Sequence, residues 1–362
     1  MSGVESKRIL VAMSGGVDSS LSAALLKEQG HDVSGAFIRV WQPPFATCSA
    51  QTDLVYAMEV AAELDIPFET IDLEDVYRTT IVDYMIREYA AGRTPNPDVV
   101  CNRTIKFGAL LDVAIERGYD AVATGHYAQI VQATNGVGIQ LLAGADNSKD
   151  QSYFLWQLSK EQLHRALFPI GHMQKSEVRT AALKRNLYSA NKPDSQGLCF
   201  IGKLDMKEFL KEYIPESPGD VLNTAGDKVG HHDGSAFLTL GQRRGFVITQ
   251  KTPDDPPMYV VAKDIVRNTI TVAPEGTGSE PYARASLSLS QTNWIGDEPR
   301  QGQVYGVRIR YRQKPIPCSL KRRSNGLWTI ELEEPQIVSA GQSAVVYKAN
   351  RCLGGGVIEL PV

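Results

Sequence analysis

The sequence predicts an α/β protein: a doubly wound parallel sheet, followed by a small β-rich linker domain and a C-terminal β-barrel. Three observations carry that prediction. Over residues 1–200 short apolar runs alternate with amphipathic helical stretches, as parallel strands covered by helices on both faces require. From Pro215 the chain changes to short runs divided by Pro, Gly, Asp and Asn, and after Tyr282 it is strand-like almost throughout. The length, 362 residues, suits two or three domains at roughly 100–200 residues each. The expected bounds are 1–205, 206–280 and 281–362.

In the first domain the expected strands are Arg8–Met13, Asp32–Arg39, Pro67–Asp72 and Ala121–Thr124. Between them, apolar residues near the 3.6 period predict helices over Ser20–Gln29, Leu54–Leu64, Val76–Ala91 and Phe107–Arg117. Gly30, Gly92 and Gly118 stand where helix ends need them. The barrel is expected from six short runs: Ala285–Ser290, Gln303–Tyr311, Ile316–Arg322, Leu327–Leu332, Ser343–Tyr347 and Gly356–Leu360.

With 43% hydrophobic and 22% charged residues, the composition excludes disordered and collagenous chains. No apolar run approaches the ~20 residues that a membrane span needs. Met1–Lys7 is polar and Ile9–Met13 too short for a signal-peptide core, so a cytoplasmic protein is expected. The net charge of −3 argues against a nucleic-acid binder, yet it conceals a division. Residues 1–280 carry −8 and residues 281–362 carry +5, a basic module on an acidic body. The five cysteines, Cys48, Cys101, Cys199, Cys318 and Cys352, form no Cys-x-x-Cys pair, so neither a disulfide framework nor a zinc site is indicated.

The first strand runs into Ser14-Gly15-Gly16-Val17-Asp18-Ser19-Ser20 and then a helix, placing two glycines where backbone amides can cradle phosphate. The loop lacks the lysine of a Walker A sequence and is not the Rossmann glycine pattern. With no lysine ready for a γ-phosphate, pyrophosphate is the expected leaving group. The plain alternative is a serine-capped turn. Farther on, two prolines hold Thr94–Pro97 extended and Asp98 is expected to cap the next helix. Cys101 then falls at the third helical position, where the helix dipole, Arg103 and Lys106 favour a thiolate and Asp98 can serve as acid or base. Alternatively Cys101 is a small buried hydrophobe. Cys199 lies in a loop-like Asn191–Gly202 stretch, an unusual place for a packing cysteine; the plain alternative, read from this segment alone, is a thiol tucked under the loop beside Phe200.

The loop resembles the S-G-G-x-D-S signature of pyrophosphate-loop ATP enzymes, whose fold is adenine-nucleotide α-hydrolase-like. Gly92–Asn102, Ala123–Tyr127, Lys149–Leu155, Gly197–Gly202, Leu240–Gly245, Arg310–Gln313 and Cys352–Gly356 extend the likeness, in order, to the tRNA-specific 2-thiouridylases. The resemblance implies a persulfide on Cys199, a nucleophilic Cys101 that closes a transient disulfide with it, and proton transfer by Asp98. It implies an ATP site of Ala12, Met13, Ser14, Gly15, Gly16, Val17, Asp18, Ser19, Ile38 and Gly125. Ile38 stands where the family commonly has Met. Asn96, Pro97 and Asp98 would border the target base. Contacts to tRNA are implied for His126, Lys149, Asp150, Gln151, Arg310, Tyr311 and Gln342.

Arg308, Arg310 and Arg312 alternate along a predicted strand, so all three are expected on one face, with Lys314, Lys321, Arg322 and Arg323 continuing the basic surface. The plain alternative is a charged strand edge; phosphate tracking fits better.

The expected reaction is ATP-dependent replacement of the 2-oxygen of the tRNA wobble uridine by sulfur. Mg²⁺ is expected to bridge the ATP phosphates with Asp18 and the loop serines nearby, no metal site of the protein's own is expected, and tRNA, a persulfide donor and a thiol reductant are the expected partners. A monomer is expected. The rivals are a pyrophosphate-loop ligase of carboxylates, which needs no cysteine, and a non-catalytic tRNA-binding protein.

Overall fold

The computed structural model describes residues 5–43, 50–132, 138–194, 205–249, 255–275 and 278–360. Cys48 and Cys199, with the whole of Gly197–Gly202, lie outside them.

The first sheet is built from β1 (Arg8–Ala12), β2 (Asp32–Arg39), β3 (Phe68–Asp72), β4 (Ala121–Ala123) and, later in the chain, the two-residue strand Ala166–Leu167. All pairings are parallel, in the order β3-β2-β1-β4 and then Ala166–Leu167. Ile9, Leu10 and Val11 of β1 are all fully buried, which is why this strand reads as a continuous apolar run. Each such side chain contributes about 1.5–3 kcal/mol by leaving water. Alternation sends them to opposite faces: Leu10 packs with Ile81, Met85, Phe107 and Leu110, whereas Ile9 and Val11 pack with Leu21, Val60, Ala61 and Val178. The sheet is therefore wound on both sides, as expected.

Helices α1 (Val17–Glu28), α2 (Ala50–Glu63), α3 (Glu74–Tyr77) and α4 (Asp83–Ala90) cover β1–β3. Gly30, Gly92 and Gly118 do take left-handed φ values of 86°, 74° and 78°. The single helix expected over Val76–Ala91 is instead α3 and α4 joined by a π-helical turn, Arg78–Val82. A second π-helical stretch, Asn102–Ala109, joins α5 (Pro97–Cys101) to α6 (Leu110–Glu116). These extra-residue turns break the 3.6 period that sequence reading relies on.

After β4 come a hairpin of β5 (Ala128–Gln132) and β6 (Ile139–Ala143), the helix α7 (Lys160–His164), the short strand already described and α8 (Lys175–Lys184). The middle unit is a five-stranded sheet with its own small core of Val221, Leu238, Val260, Ile270 and Val272. The last unit has strands Arg284–Trp294, Val304–Arg308, Ile316–Arg322, Trp328–Gln336, Ser343–Lys348 and Arg351–Glu359. The first pairs with the last, closing a six-stranded barrel. Gly354 makes closure possible: at φ 122°, a Cβ there would lie 2.0 Å from the Asn293 carbonyl oxygen. The β5–β6 hairpin joins this barrel sheet through Leu141 and Leu142, which pair with Cys352 and Arg351.

The strand expected over Gln303–Tyr311 ends at Arg308; Ile309–Arg312 turns, with Arg312 at φ 63°. The one-face array of Arg308, Arg310 and Arg312 is thereby corrected: alternation stops where the strand stops.

Candidate functional site

The glycine loop leaves the C-terminal end of β1, the edge at which parallel α/β sheets bind ligands. Met13 N–H still bonds the β2 carbonyl of Ala36 at 2.8 Å, and the chain then turns at Gly15, φ 70°. No other residue fits at Gly15, because a Cβ would fall 2.1 Å from the Asp53 carbonyl oxygen. Ser19 Oγ closes the turn, accepting from Ser14 N at 3.2 Å and donating to Gly16 O at 3.1 Å. Gly16 caps α1 without a side-chain partner, and among the described residues the N–H groups of Gly15, Gly16 and Val17 meet no protein acceptor. Those amides at the positive end of a helix dipole form an anion cradle.

Gly125, just past β4, touches the same loop: a Cβ there would lie 2.7 Å from both Asp18 C and Ser19 N. Ala12–Ser19 and Gly125 are thus brought together, while Ile38 is 3% exposed in the core beneath.

Asp18, in the first turn of α1, accepts the Tyr127 hydroxyl at 2.7 Å and both its oxygens accept Lys175 Nζ at 2.8 Å. Burial and the Asp18 charge push the Tyr127 phenol far above its ordinary value. Lys175 also meets Asp194 at 2.9 Å, and Asp194 takes Lys149 at 2.8 Å and Arg179 at 2.6 Å. Burial works against ionisation of Asp194, but hydrogen bonds and charge from Lys149 and Lys175 outweigh it and hold the carboxyl far below the usual carboxylate range. Lys192 pairs with Asp53, donates to Gly15 O at 3.1 Å and lies over the Tyr56 ring. The loop itself has no lysine, as read; folding brings two to it.

Asn96, rather than Asp98, caps α5: its Oδ1 accepts Val99 N at 3.4 Å, and Pro97 occupies the first helical position that proline favours. Cys101 is consequently the fifth helical residue instead of the third, and only 1% exposed. The dipole acts on it less than a cap at Asp98 would have implied. The barrel grips the preceding turn, because Gln342 Nε2 donates to the Thr94 and Pro95 carbonyls at 3.1 and 3.2 Å. Thr94 Oγ1 lies 3.3 Å from Thr239 Oγ1 of the middle unit, so all three units meet there. Beside the junction, Thr239, Gln242, Arg310, Ser339 and Gln342 line a cavity of about 310 Å³.

His126 is buried between Phe107 and Phe168, its Nδ1 2.7 Å from Thr124 Oγ1. Desolvation, then the charge of Lys106, holds it well below the ordinary histidine value, so it is neutral. Lys149, Asp150 and Gln151 each bind a different part of the molecule. Lys149 meets Asp194; Asp150 receives Gly144 N, Ser152 N and the Arg308 guanidinium; Gln151 exchanges two hydrogen bonds with the Tyr127 backbone. Arg308 lies over the Tyr347 ring, whereas Arg310 is exposed, bonding the carbonyls of Leu240 and Ile337. Arg312 lies over the Tyr311 ring.

Three domain models match in order: the tRNA methyl transferase HUP domain over residues 7–203, the tRNA methyl transferase PRC-barrel domain over 207–274, and the aminomethyltransferase beta-barrel domain over 284–358. The tRNA-specific 2-thiouridylase MnmA of Streptococcus thermophilus is 44% identical over 356 residues, 97% of this chain and 95% of that protein. This chain belongs to the tRNA-specific 2-thiouridylase family. Another member, from Nitrosomonas europaea, is 44% identical over 97% of this chain and 98% of its own. Among solved structures, the U34-tRNA thiolase NcsA from Methanococcus maripaludis aligns with 59% of this chain and 69% of its own, at 17% identity and TM-score 0.36. Lys175 and Lys192 are site neighbours that sequence reasoning missed, whereas Arg308, expected on an RNA-facing strand, is instead the ion-pair partner of Asp150. The one available signal was Lys192 standing two residues before Asp194.

Proposed function

We propose that this chain is an ATP-dependent sulfurtransferase that converts the wobble uridine of tRNA to 2-thiouridine. The observation that carries the reading is the near full-length likeness to proteins named for that activity, and the anion cradle supports its ATP requirement. The HUP-domain description speaks of methyl transfer; a pyrophosphate-type loop together with Cys101 and Cys199 fits thiolation.

The uridine 2-carbonyl oxygen attacks the α-phosphate of ATP, releasing pyrophosphate and turning a poor leaving oxide into a good one, AMP. Gly15, Gly16 and Val17 would hold phosphate through their amides. Asp18 and the Ser14 and Ser19 hydroxyls are hard oxygen donors, which suits Mg²⁺ entering with the ATP. The terminal sulfur of a Cys199 persulfide then reaches C2, AMP departs, and the Cys101 thiolate attacks the Cys199 sulfur. Carbon keeps the sulfide and the two cysteines become a disulfide, which a thiol reductant reopens. In the other order, Cys101 first releases sulfide, which attacks C2. Asp98, beside Cys101 on α5, would move the proton. Burial of Cys101 supports a transfer shielded from bulk water.

The division of labour follows the three units: activation in 1–205, linkage in 206–280 and RNA grip in 281–362. Asn96 and Pro97 border the base, and His126, Lys149, Asp150, Gln151, Arg310, Tyr311 and Gln342 form the tRNA side, by contact or by positioning. The protein acts as a cytoplasmic monomer supplied by a persulfide donor. No helix among the described residues is long and apolar enough to cross a membrane.

The test is mass spectrometry of tRNA after incubation with ATP, Mg²⁺, a persulfide sulfur donor and a thiol reductant. Exchange of one oxygen for sulfur at the anticodon uridine is expected; unmodified tRNA with folded protein would overturn the proposal.

A further inference from the structure

We infer that Lys175 is the phosphate-binding lysine that the glycine loop lacks, holding the phosphates of ATP beyond the α-position. The inference rests on the ATP reading above and adds to it a residue 157 positions away in sequence.

The placement of Lys175 is determined from both ends. Its backbone N–H donates to Asp146 Oδ2 at 3.0 Å, and it is the first residue of α8, behind a Gln174–Glu177 capping box. Its ammonium is bound by both oxygens of Asp18 and by Asp194 Oδ1, and its side chain is only 13% exposed. A lysine so confined has its ammonium fixed at the rim of the cradle whose Gly15, Gly16 and Val17 amides have no protein acceptor among the described residues. Asp18, to which Lys175 is fastened at 2.8 Å, directly follows those amides in the chain, so a polyphosphate seated on them would feel the ammonium's charge. Its negative charge competes with the two carboxylates for the ammonium at little cost in reorganisation.

Lys192 has a different task. It donates to the Gly15 carbonyl and pairs with Asp53, so it bolts the loop's main chain to α2. Lys149 and Arg179 reach Asp194 without touching Asp18. Lys175 alone among the described cations joins the first turn of α1 to the Asp194 cluster.

The experiment is equilibrium titration of the full chain with Mg-ATP and, separately, with adenosine, in the absence of tRNA. Lys175→Gln should weaken ATP at least tenfold and leave adenosine within twofold, while Lys175→Arg keeps most of the ATP affinity. Retained adenosine binding shows that each variant is folded. Unchanged ATP affinity in Lys175→Gln would overturn the inference, as would equal losses for ATP and adenosine, which indicate a purely structural lysine. If wild-type protein binds adenosine but gains nothing from the phosphates, or binds neither, the ATP reading itself falls and takes the inference with it.

Discussion

Asp150 and Arg308 form an ion pair 2.5 Å long between the first unit and the barrel, with side chains only 2% and 16% exposed. Removing the cation leaves a buried carboxylate with backbone donors alone. Arg308→Met should therefore cost about 3 kcal/mol, in the range of broken buried pairs. Adding Asp150→Asn should recover part of that loss. Urea unfolding of the two variants checks both statements; a double variant no more stable than the single one would mean that the pair is not the source.

Gly125→Ala brings a methyl against Asp18 and Ser19 backbone atoms at 2.7 Å. The loop has to shift, so ATP binding should fall at least tenfold while stability drops by about 1–3 kcal/mol, as overpacking does. Calorimetric titration with ATP measures the first effect and thermal melting the second.

The cysteines should separate activation from sulfur transfer. Cys199→Ala and Cys101→Ser are each expected to abolish persulfide-dependent thiolation and retain tRNA-dependent pyrophosphate release. Thiolation by both variants at the wild-type rate would point instead to an acceptor chemistry that needs no cysteine.

Stability should fall on mild acidification. His126 is held well below the ordinary value of 6.5, and His232 is lowered too, in both cases chiefly by burial. Below pH 6.5 the unfolded chain binds protons that the folded chain does not. Stability present at neutral pH is lost as pH falls toward the depressed folded values, by about 1.4 kcal/mol per unit for each fully shifted group. Melting temperatures between pH 8 and 5 should show this fall, with a flatter profile in His126→Asn.

Arg310→Ala should weaken tRNA binding and reduce its salt dependence by about one counterion. Arg312→Ala should act in the same direction. Filter binding across a salt series distinguishes this from a change that only loosens the Leu240 and Ile337 carbonyl contacts.

The sheet was legible because strands such as β1 bury both faces and so read as apolar runs, and because glycine is nearly obligatory where the helices end. The glycine loop was legible for a related reason: Gly15 has a φ and a clearance that exclude every side chain. What spacing did not disclose has equally specific causes. Alternation assigns Arg308 a face but says nothing of whether water or Asp150 lies on that face. Asn96 and Asp98 are both capable caps, and Pro97 between them decides. Lys175 and Lys192 reach the loop only through the tertiary fold, and the β5–β6 hairpin finds its partner strand some 200 residues later, at Arg351–Cys352.

That hairpin makes the barrel and the first unit poor candidates for separation. Ile139 and Leu141 are buried in the intact chain. Cutting before residue 281 would strip the partner from β6 and leave an apolar strand edge open to other chains. The first unit alone should thus aggregate, and a shortened enzyme would have to carry the barrel with it.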